Sequence, residues 1–176
     1  MRLRRGVLDV LVLAAGLAPA ALAATPIQSG CDARAAAMIA ALNATRARHG
    51  LAPLVPDGRL MQAARTHADD LAAGPGTGHA GTDGSTPSER VLRAGYGHAL
   101  VGEVLAHGLA SPPQVVEGWL GSPGHRALLL ESRFTEVGVA YSRSSRAHLR
   151  DHWVADFGTR AEGAVAPWAC APPRPP

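Results

Sequence analysis

The chain has 176 residues, with 17 basic and 14 acidic side chains, a formal net charge of +3 and no lysine, so every basic residue is arginine. With 47% hydrophobic residues the length suits one domain with a real core, and no arginine cluster forms the basic footprint of a nucleic-acid binder. Two cysteines, with no third or fourth thiol, cannot by themselves build a structural zinc site.

The first residues have the three parts of an export signal. Arg2, Arg4 and Arg5 are followed by an apolar run from Gly6 to Ala20, broken only by Asp9, and then by Ala21-Leu22-Ala23. This pattern predicts a secretory signal over residues 1–23, cleaved after Ala23. The run is too short, and too rich in Ala, Gly and Pro, to read as a membrane span. Without the signal the chain carries 14 arginines against 13 acids, close to balance. Cys31 and Cys170 bracket what remains. In an oxidising compartment the pair reads as a disulfide joining the two ends, the alternative being two unpaired thiols.

Residues 24–34 read as a linker, and a single domain is expected over residues 35–162. Its helical spacing begins at Asp32 and runs to about His49, through Ala35, Met38, Ile39, Leu42 and Arg46. Gly50 stops that helix, and Pro53 and Pro56 keep the next turn extended. A second helix is predicted from about Asp57 to Ala73, with Leu60, Met61, Ala64, His67, Ala68 and Leu71 as its buried stripe. His67 on that stripe reads as a hydrogen-bonded core histidine, and Asp69 and Asp70 as a solvated face. The Gly-rich segment 74–85 holds His79 and Asp83. Thr86-Pro87-Ser88-Glu89 reads as a capping box opening a short third helix that ends at Gly95.

Leu100 to His107 is expected as a strand or extended segment. Ser111-Pro112-Pro113-Gln114 opens a fourth helix by the same capping device, with Val115, Val116, Trp119 and Leu120 apolar. Arg126 to Leu130 forms one more helical turn. The period then changes to two: Thr135, Val137, Val139 and Tyr141, and later Trp153, Ala155 and Phe157, mark two strands joined across Ser142 to Asp151. Residues 163–176 are a Pro-rich tail. Helices first and paired strands last predict an α+β fold with helices covering a mainly antiparallel sheet.

Three places carry ionisable groups where the chain turns. His79 lies between glycines, on a loop whose backbone can approach a cleft closely. Glu103 stands in an apolar run, where a carboxylate is rarely buried without a partner. His125 follows the helix-breaking Ser122-Pro123-Gly124. Two histidines and one glutamate match the ligand set of an open Zn²⁺-type site. They match equally a general acid/base pair oriented by a carboxylate. Spacing does not choose between the two.

The order of these segments resembles the CAP superfamily, which comprises cysteine-rich secretory proteins, antigen 5 and plant pathogenesis-related proteins. The resemblance rests on Gly78-His79, on Asp83-Gly84-Ser85-Thr86-Pro87 with Arg90, on Ala94-Gly95-Tyr96 and on Gly102-Glu103. It continues through Val115-Val116, Trp119, Ser122-Pro123-Gly124-His125-Arg126, Phe134-Thr135-Glu136-Val137-Gly138-Val139, and Trp153-Val154 with Phe157-Gly158. It covers roughly residues 36–158 and points to the compact bacterial, SCP-like branch. The resemblance implies a three-layer α-β-α sandwich and an open cleft lined by a His-Glu-Glu-His tetrad. His79 matches its first His, Glu103 its first Glu and His125 its second His. The second Glu has no clear counterpart, with Ser122 in its neighbourhood, and Val104 replaces the Asn that commonly follows the first Glu.

Three functions follow as expectations for a secreted, periplasmic or extracellular protein. The first is a cleft of His79, Glu103, Ser122 and His125 that binds a small ligand or a divalent cation such as Zn²⁺, with His79, Glu103 and His125 as metal ligands. The second is a metal-free module that binds a lipid, an envelope component or a protein partner. The third is an envelope or peptide hydrolase, in which His125 or Glu103 acts as general base on water or on Ser122. No nucleophile sits in a recognisable activating context, so enzymatic activity ranks last.

Overall fold

The computed structural model describes residues 32–76, 78–145 and 150–163. The segment expected to be an export signal, the expected Cys31–Cys170 pair and the tail beyond Gly163 lie outside the described residues. Asp32 opens helix α1 (Ala33–Arg48) by accepting a hydrogen bond from the Arg34 amide at 3.0 Å. Ala35, Met38, Ile39 and Leu42 are buried along one side of it. Arg46, one turn from its end, is buried as well. Its guanidinium donates to the carbonyls of Ala52, Leu129, Glu131 and Phe134 at 2.9–3.2 Å. One side chain thereby ties together segments more than eighty residues apart.

The proline-flanked turn after α1 contains a two-residue strand, β1 (Val55–Pro56), where only an extended turn was expected. Asp57 then caps α2 (Gly58–Ala73), accepting from the amides of Arg59 at 2.8 Å and Leu60 at 3.3 Å. Its buried stripe is Leu60, Ala63, Ala64, His67, Ala68 and Leu71, while Met61 is only half-buried. Helix α3 (Pro87–Arg93) begins with the reciprocal capping box between Thr86 and Glu89, with Pro87 in the first turn. Strand β2 (His98–His107) leads to α4 (Pro112–Gly121) and α5 (Pro123–Leu129), and strands β3 (Glu136–Arg143) and β4 (Asp151–Arg160) complete the order. The cap expected at Ser111 does not form; its hydroxyl donates instead to Gln114 Oε1 at 2.8 Å. Pro113 removes one of the two amides that a capping side chain commonly reaches, and the Ser111 hydroxyl turns to the Gln114 side chain instead of its amide.

The four strands lie in the order β1-β3-β4-β2, with β3, β4 and β2 antiparallel and β1 parallel to β3. Because side chains alternate across a strand, this sheet separates two helical layers. Val104, Val137, Val139, Trp153, Ala155 and Phe157 face α1, α4 and α5, in a core that includes Met38, Leu42, Val115, Trp119 and Leu129. Leu105, Ala140 and Val154 face α2 at Ala64, Ala68 and Leu71. Leu60, Ala63, Val91 and Tyr96 join α2, α3 and the segment leading into β2. The result is the expected three-layer α-β-α sandwich with a mainly antiparallel sheet.

Close approach requires glycine at two places in the sheet. A Cβ on Gly138 would fall against the backbone of Leu60 and Met61 in α2. One on Gly158 would meet the Tyr96 ring at 2.6–2.7 Å. Tyr96 is held there by donating its hydroxyl to Glu136 at 2.5 Å, and Arg160 reaches the same carboxylate at 2.9 Å. Burial, followed by that carboxylate, holds the Tyr96 phenol far above its ordinary pKa, so it remains a donor.

Candidate functional site

Alternation along β2 decides which layer each candidate side chain enters. Gly102 points toward α5, where a Cβ would meet Leu128 Cδ2 at 2.8 Å and Phe134. Glu103 therefore points the other way, into the layer of α2 and α3. There it is buried, its side chain 1% exposed, and both of its oxygens are engaged. Oε1 accepts from His79 Nδ1 at 2.7 Å and Oε2 from Arg90 at 2.7 Å.

The loop that brings His79 to this point is anchored on both sides. Asp70, expected on a solvated face, accepts from the Thr82 amide at 2.8 Å and from its hydroxyl at 2.5 Å. Arg90, buried midway along α3, donates to the carbonyls of Ser85 at 2.8 Å and His79 at 3.0 Å. His67 is wholly buried and its Nε2 lies 3.0 Å from the Gly78 carbonyl, as the core-histidine reading expects. That bond requires the hydrogen on Nε2. Burial depresses the His67 pKa, outweighing the nearby Glu103 charge, so the ring is neutral.

His79 itself is half exposed, its side chain 51% accessible. Its hydrogen bond to Glu103 raises its pKa above the ordinary histidine value, against a smaller opposing effect of burial. With Nδ1 committed to the carboxylate, Nε2 is the atom left to meet a ligand.

Asp156 is the member of the cluster that the sequence reading overlooked. It pairs with Glu103 across the β2–β4 ladder and is fully buried. Its signal was a lone acid inside the run Trp153–Phe157, turned away from the apolar face that the alternation marked. A carboxylate at this place has no hydrogen-bond donor. A carboxylic acid has an acceptor in Glu103. Burial first and the Glu103 charge second push the Asp156 pKa well above the ordinary carboxylate value. Asp156 is thus held toward its neutral, protonated form beside Glu103.

A raised folded-state pKa contributes stability that is complete below the unfolded value and is lost as pH rises through the folded one. Asp156→Asn keeps a donor beside Glu103 and cannot ionise. Its stability relative to wild type should therefore increase as pH rises from about 4 toward the raised value. Urea midpoints measured at intervals from about pH 4 to about pH 9 check this, and a difference independent of pH would show that Asp156 does not titrate there.

Ser122 and His125 are placed differently. Ser122 is the junction residue between α4 and α5, and His125 lies on α5. That helix packs through Leu128 on the Gly102 side of β2, opposite to the Glu103 side. The structure brings His79 and Glu103 together, adds His67, Arg90 and Asp156, and leaves Ser122 and His125 with the other helical layer. Among the described residues, no group of three or more His, Cys, Asp or Glu side chains is placed to hold a metal ion. The donor set fits a divalent cation in one respect, since a His with Nδ1 on a carboxylate and Nε2 free is a common metal ligand. It fails in another, because Glu103 is 1% exposed and engaged on the Nδ1 side of the ring, with each oxygen already accepting from His79 or Arg90.

A three-layer α-β-α sandwich that presents one histidine from a glycine-rich loop, backed by a buried carboxylate and arginine, defines a CAP-type domain. The model of the cysteine-rich secretory protein family, CAP, matches residues 39–157, and the chain belongs to that family. It is 33% identical over 102 residues to the uncharacterized protein YkwD of Bacillus subtilis (strain 168), across 58% of this chain and 40% of that protein. It is also 33% identical over 101 residues to the uncharacterized membrane protein YlbC of the same organism, across 57% of this chain and 29% of YlbC. The aligned region thus spans well under half the length of either relative. Among solved structures, an outer surface protein from Borrelia burgdorferi superposes with a TM-score of 0.64 at 26% identity, covering 70% of this chain and 90% of that one. An extracellular protein containing a SCP domain from Bacillus anthracis str. Ames gives a TM-score of 0.65 at 26% identity, over 73% and 41% of the two chains. No helix among the described residues is long and apolar enough to cross a membrane.

Proposed function

We propose that this chain is an extracellular CAP-domain binding module that captures a small, acceptor-bearing ligand through His79. Extracellular placement is supported by the signal-like N-terminus and by the names of the two structural neighbours. The observation that carries the binding reading is the 2.7 Å bond from His79 Nδ1 to Glu103. It orients the ring, raises its basicity and leaves Nε2–H as an outward donor. A carboxylate or phosphate group is the natural complement of a protonated imidazole. A resident divalent cation is the weaker reading, since Glu103 is consumed by His79 and Arg90. Hydrolysis is weaker still, because no hydroxyl or thiol among the described residues is hydrogen-bonded to the His79 ring.

The pH dependence separates the first two readings. Anion capture follows the protonated fraction of His79, so affinity is full below its raised pKa and falls as pH rises through it. Metal capture has the opposite sign, since a coordinating imidazole must be deprotonated. Titrating the protein with phosphate, and separately with Zn²⁺, on both sides of neutrality tests the reading against His79→Ala and His125→Ala. The expected result is phosphate binding that weakens with rising pH, is lost in His79→Ala and is kept in His125→Ala. Zinc binding that strengthens with pH and is lost in both variants would replace this reading with the metal one.

A further inference from the structure

Strand β2 is an outer strand of the sheet, with β4 on one side and no described strand on the other. The ladder fixes where its main-chain groups point. The Gly108 amide donates to the Asp151 carbonyl at 2.8 Å, one rung beyond the pair His107–His152. Such rungs alternate in an antiparallel pair, so Gly102, Val104 and Ala106 turn their N–H and C=O toward β4. Val101, Glu103 and Leu105 turn theirs outward. The Leu105 carbonyl agrees with this parity, since it accepts from the Trp119 indole at 2.8 Å.

An open edge invites pairing with another chain, and proteins blunt it with bulges, charges or covering side chains. Strand β2 is blunted at both ends. A register shift between His98 and Leu100 distorts its start, and Trp119 covers the edge at Leu105. Val101 and Glu103 lie between these two devices. Among the described residues, no hydrogen bond from another element reaches the main chain of either. The edge is accessible here. Val101 and Gly102 are half-buried. Glu103 is 5% exposed as a whole although its side chain is 1% exposed, so its remaining surface lies on the main chain.

His79 stands at the rim of this stretch. Helix α2 packs over β3 and β4, and the face of β2 that carries Glu103 meets the His79 loop and α3 instead. The His79 ring is half exposed, with Nδ1 on Glu103 and Nε2 turned outward. In an antiparallel pair, a residue opposite Glu103 exchanges both main-chain bonds with it and sends its side chain to the same face. A carboxylate on that side chain comes beside the His79 ring, while Arg90 balances the charge of Glu103 itself.

We infer that an extended peptide adds to β2 as a further antiparallel strand at Val101–Glu103, with the carboxylate of an Asp or Glu side chain opposite Glu103 accepting from His79 Nε2. The ligand of His79 is then an acidic segment of chain, an assignment that rests on the anion-capturing role proposed above. In such strand addition the main-chain bonds supply affinity and the side-chain contact selects the sequence.

The test follows amide chemical shifts and amide hydrogen exchange of the chain at about pH 6, where imidazole is largely protonated. The probe is a blocked pentapeptide, acetyl-Thr-Val-Asp-Val-Thr-amide. It is compared with the same peptide carrying Asn for Asp, with one N-methylated at the Asp, and with sodium phosphate. Val101→Pro accompanies it, because proline there removes an outward amide that the β4 ladder does not use. The expected result is saturable binding of the Asp peptide that slows exchange at the Val101 and Glu103 amides. Gly102 and Val104, whose amides face β4, should be protected with or without peptide. The Asn peptide, the N-methylated peptide and Val101→Pro should each bind about tenfold or more weaker, the loss of roughly one hydrogen bond to a charged or main-chain group. Val101→Pro should still bind phosphate as wild type does. Should Val101→Pro fail to fold, the N-methylated peptide decides the pairing. Phosphate capture without peptide capture, or equal capture of the N-methylated peptide, overturns the strand addition and leaves the His79 reading standing. Equal capture of the Asp and Asn peptides with no phosphate binding overturns the His79 reading, and the peptide assignment with it. Protection of the Val101 and Glu103 amides that grows with protein concentration alone would make a second copy of the chain the occupant, and would equally overturn it.

Discussion

Gly138→Ala is expected to prevent stable folding, with a loss of about 4 kcal/mol or more. Gly138 lies in the middle of β3, directly under the first turn of α2. An added methyl would fall on the Leu60 carbonyl carbon and the Met61 amide nitrogen, and within 2.5 Å of the Leu60 carbonyl oxygen. These are backbone atoms of a hydrogen-bonded helix, so no rotamer change can relieve the overlap. Relief requires α2 to lift from the sheet, and α2 carries Leu60, Ala63, Ala64, His67, Ala68 and Leu71 into two of the three cores. Gly121→Ala is the matched control. That glycine ends α4 with nothing near its Cβ position, so alanine should be neutral or slightly stabilising there. Urea unfolding followed by circular dichroism reads both. A Gly138→Ala protein within about 1 kcal/mol of wild type would mean that α2 does not approach the sheet this closely.

Arg90→Ala should be the most damaging substitution at the candidate site, at about 3–5 kcal/mol. The Arg90 and Glu103 side chains are 3% and 1% exposed, so removing either leaves the other as a buried charge without its counter-ion. Loss of the arginine is the worse case, because Glu103 then faces the Asp156 carboxyl with only His79 to offset its charge. It also frees the Ser85 and His79 carbonyls, so the loop bearing His79 loses its anchor on the α3 side. Arg90→Lys is no substitute, since one ammonium cannot span acceptors that the guanidinium reaches with two separate nitrogens. Glu103→Gln should cost less, as its amide oxygen can still accept from one of the two donors. The Arg90→Ala, Glu103→Ala double variant should be more stable than the sum of the single losses. Strict additivity would show that the two side chains do not interact.

Much of the architecture was legible because the relevant signals are local. The Thr86–Glu89 capping box, the helix starts placed at Asp32 and about Asp57, and the three-to-four spacing of α1 and α2 act within a turn or two of chain. Period-two alternation in β3 and β4 likewise named the residues that face the α1, α4 and α5 core. The two-residue β1 was not legible, since Val55 and Pro56 become a strand only through the parallel partner they find in β3. The Ser111 pattern resembles a cap, but its hydroxyl pairs with the Gln114 side chain instead of the Gln114 amide, a choice the local pattern does not show.

At the site, His79 and Glu103 stand out in the sequence because a histidine between glycines and an acid in an apolar run are unusual on their own terms. Family membership, the export-type N-terminus and a sandwich of helices on a mainly antiparallel sheet were all present in the order of residues. Which side chains share a cluster was decided by tertiary structure. Strand parity sends Gly102 toward α5 and Glu103 toward α2, and this separates Glu103 from the layer that holds His125. Cross-strand register sets Asp156 beside Glu103, although 53 positions separate them in the chain. Helix α3 carries Arg90 to the same point and commits both carboxylate oxygens. A residue's type and its neighbours along the chain limit the chemistry it can perform. Its protonation and its partners depend on burial and on charges that arrive from distant segments, and these exist only once the chain has folded.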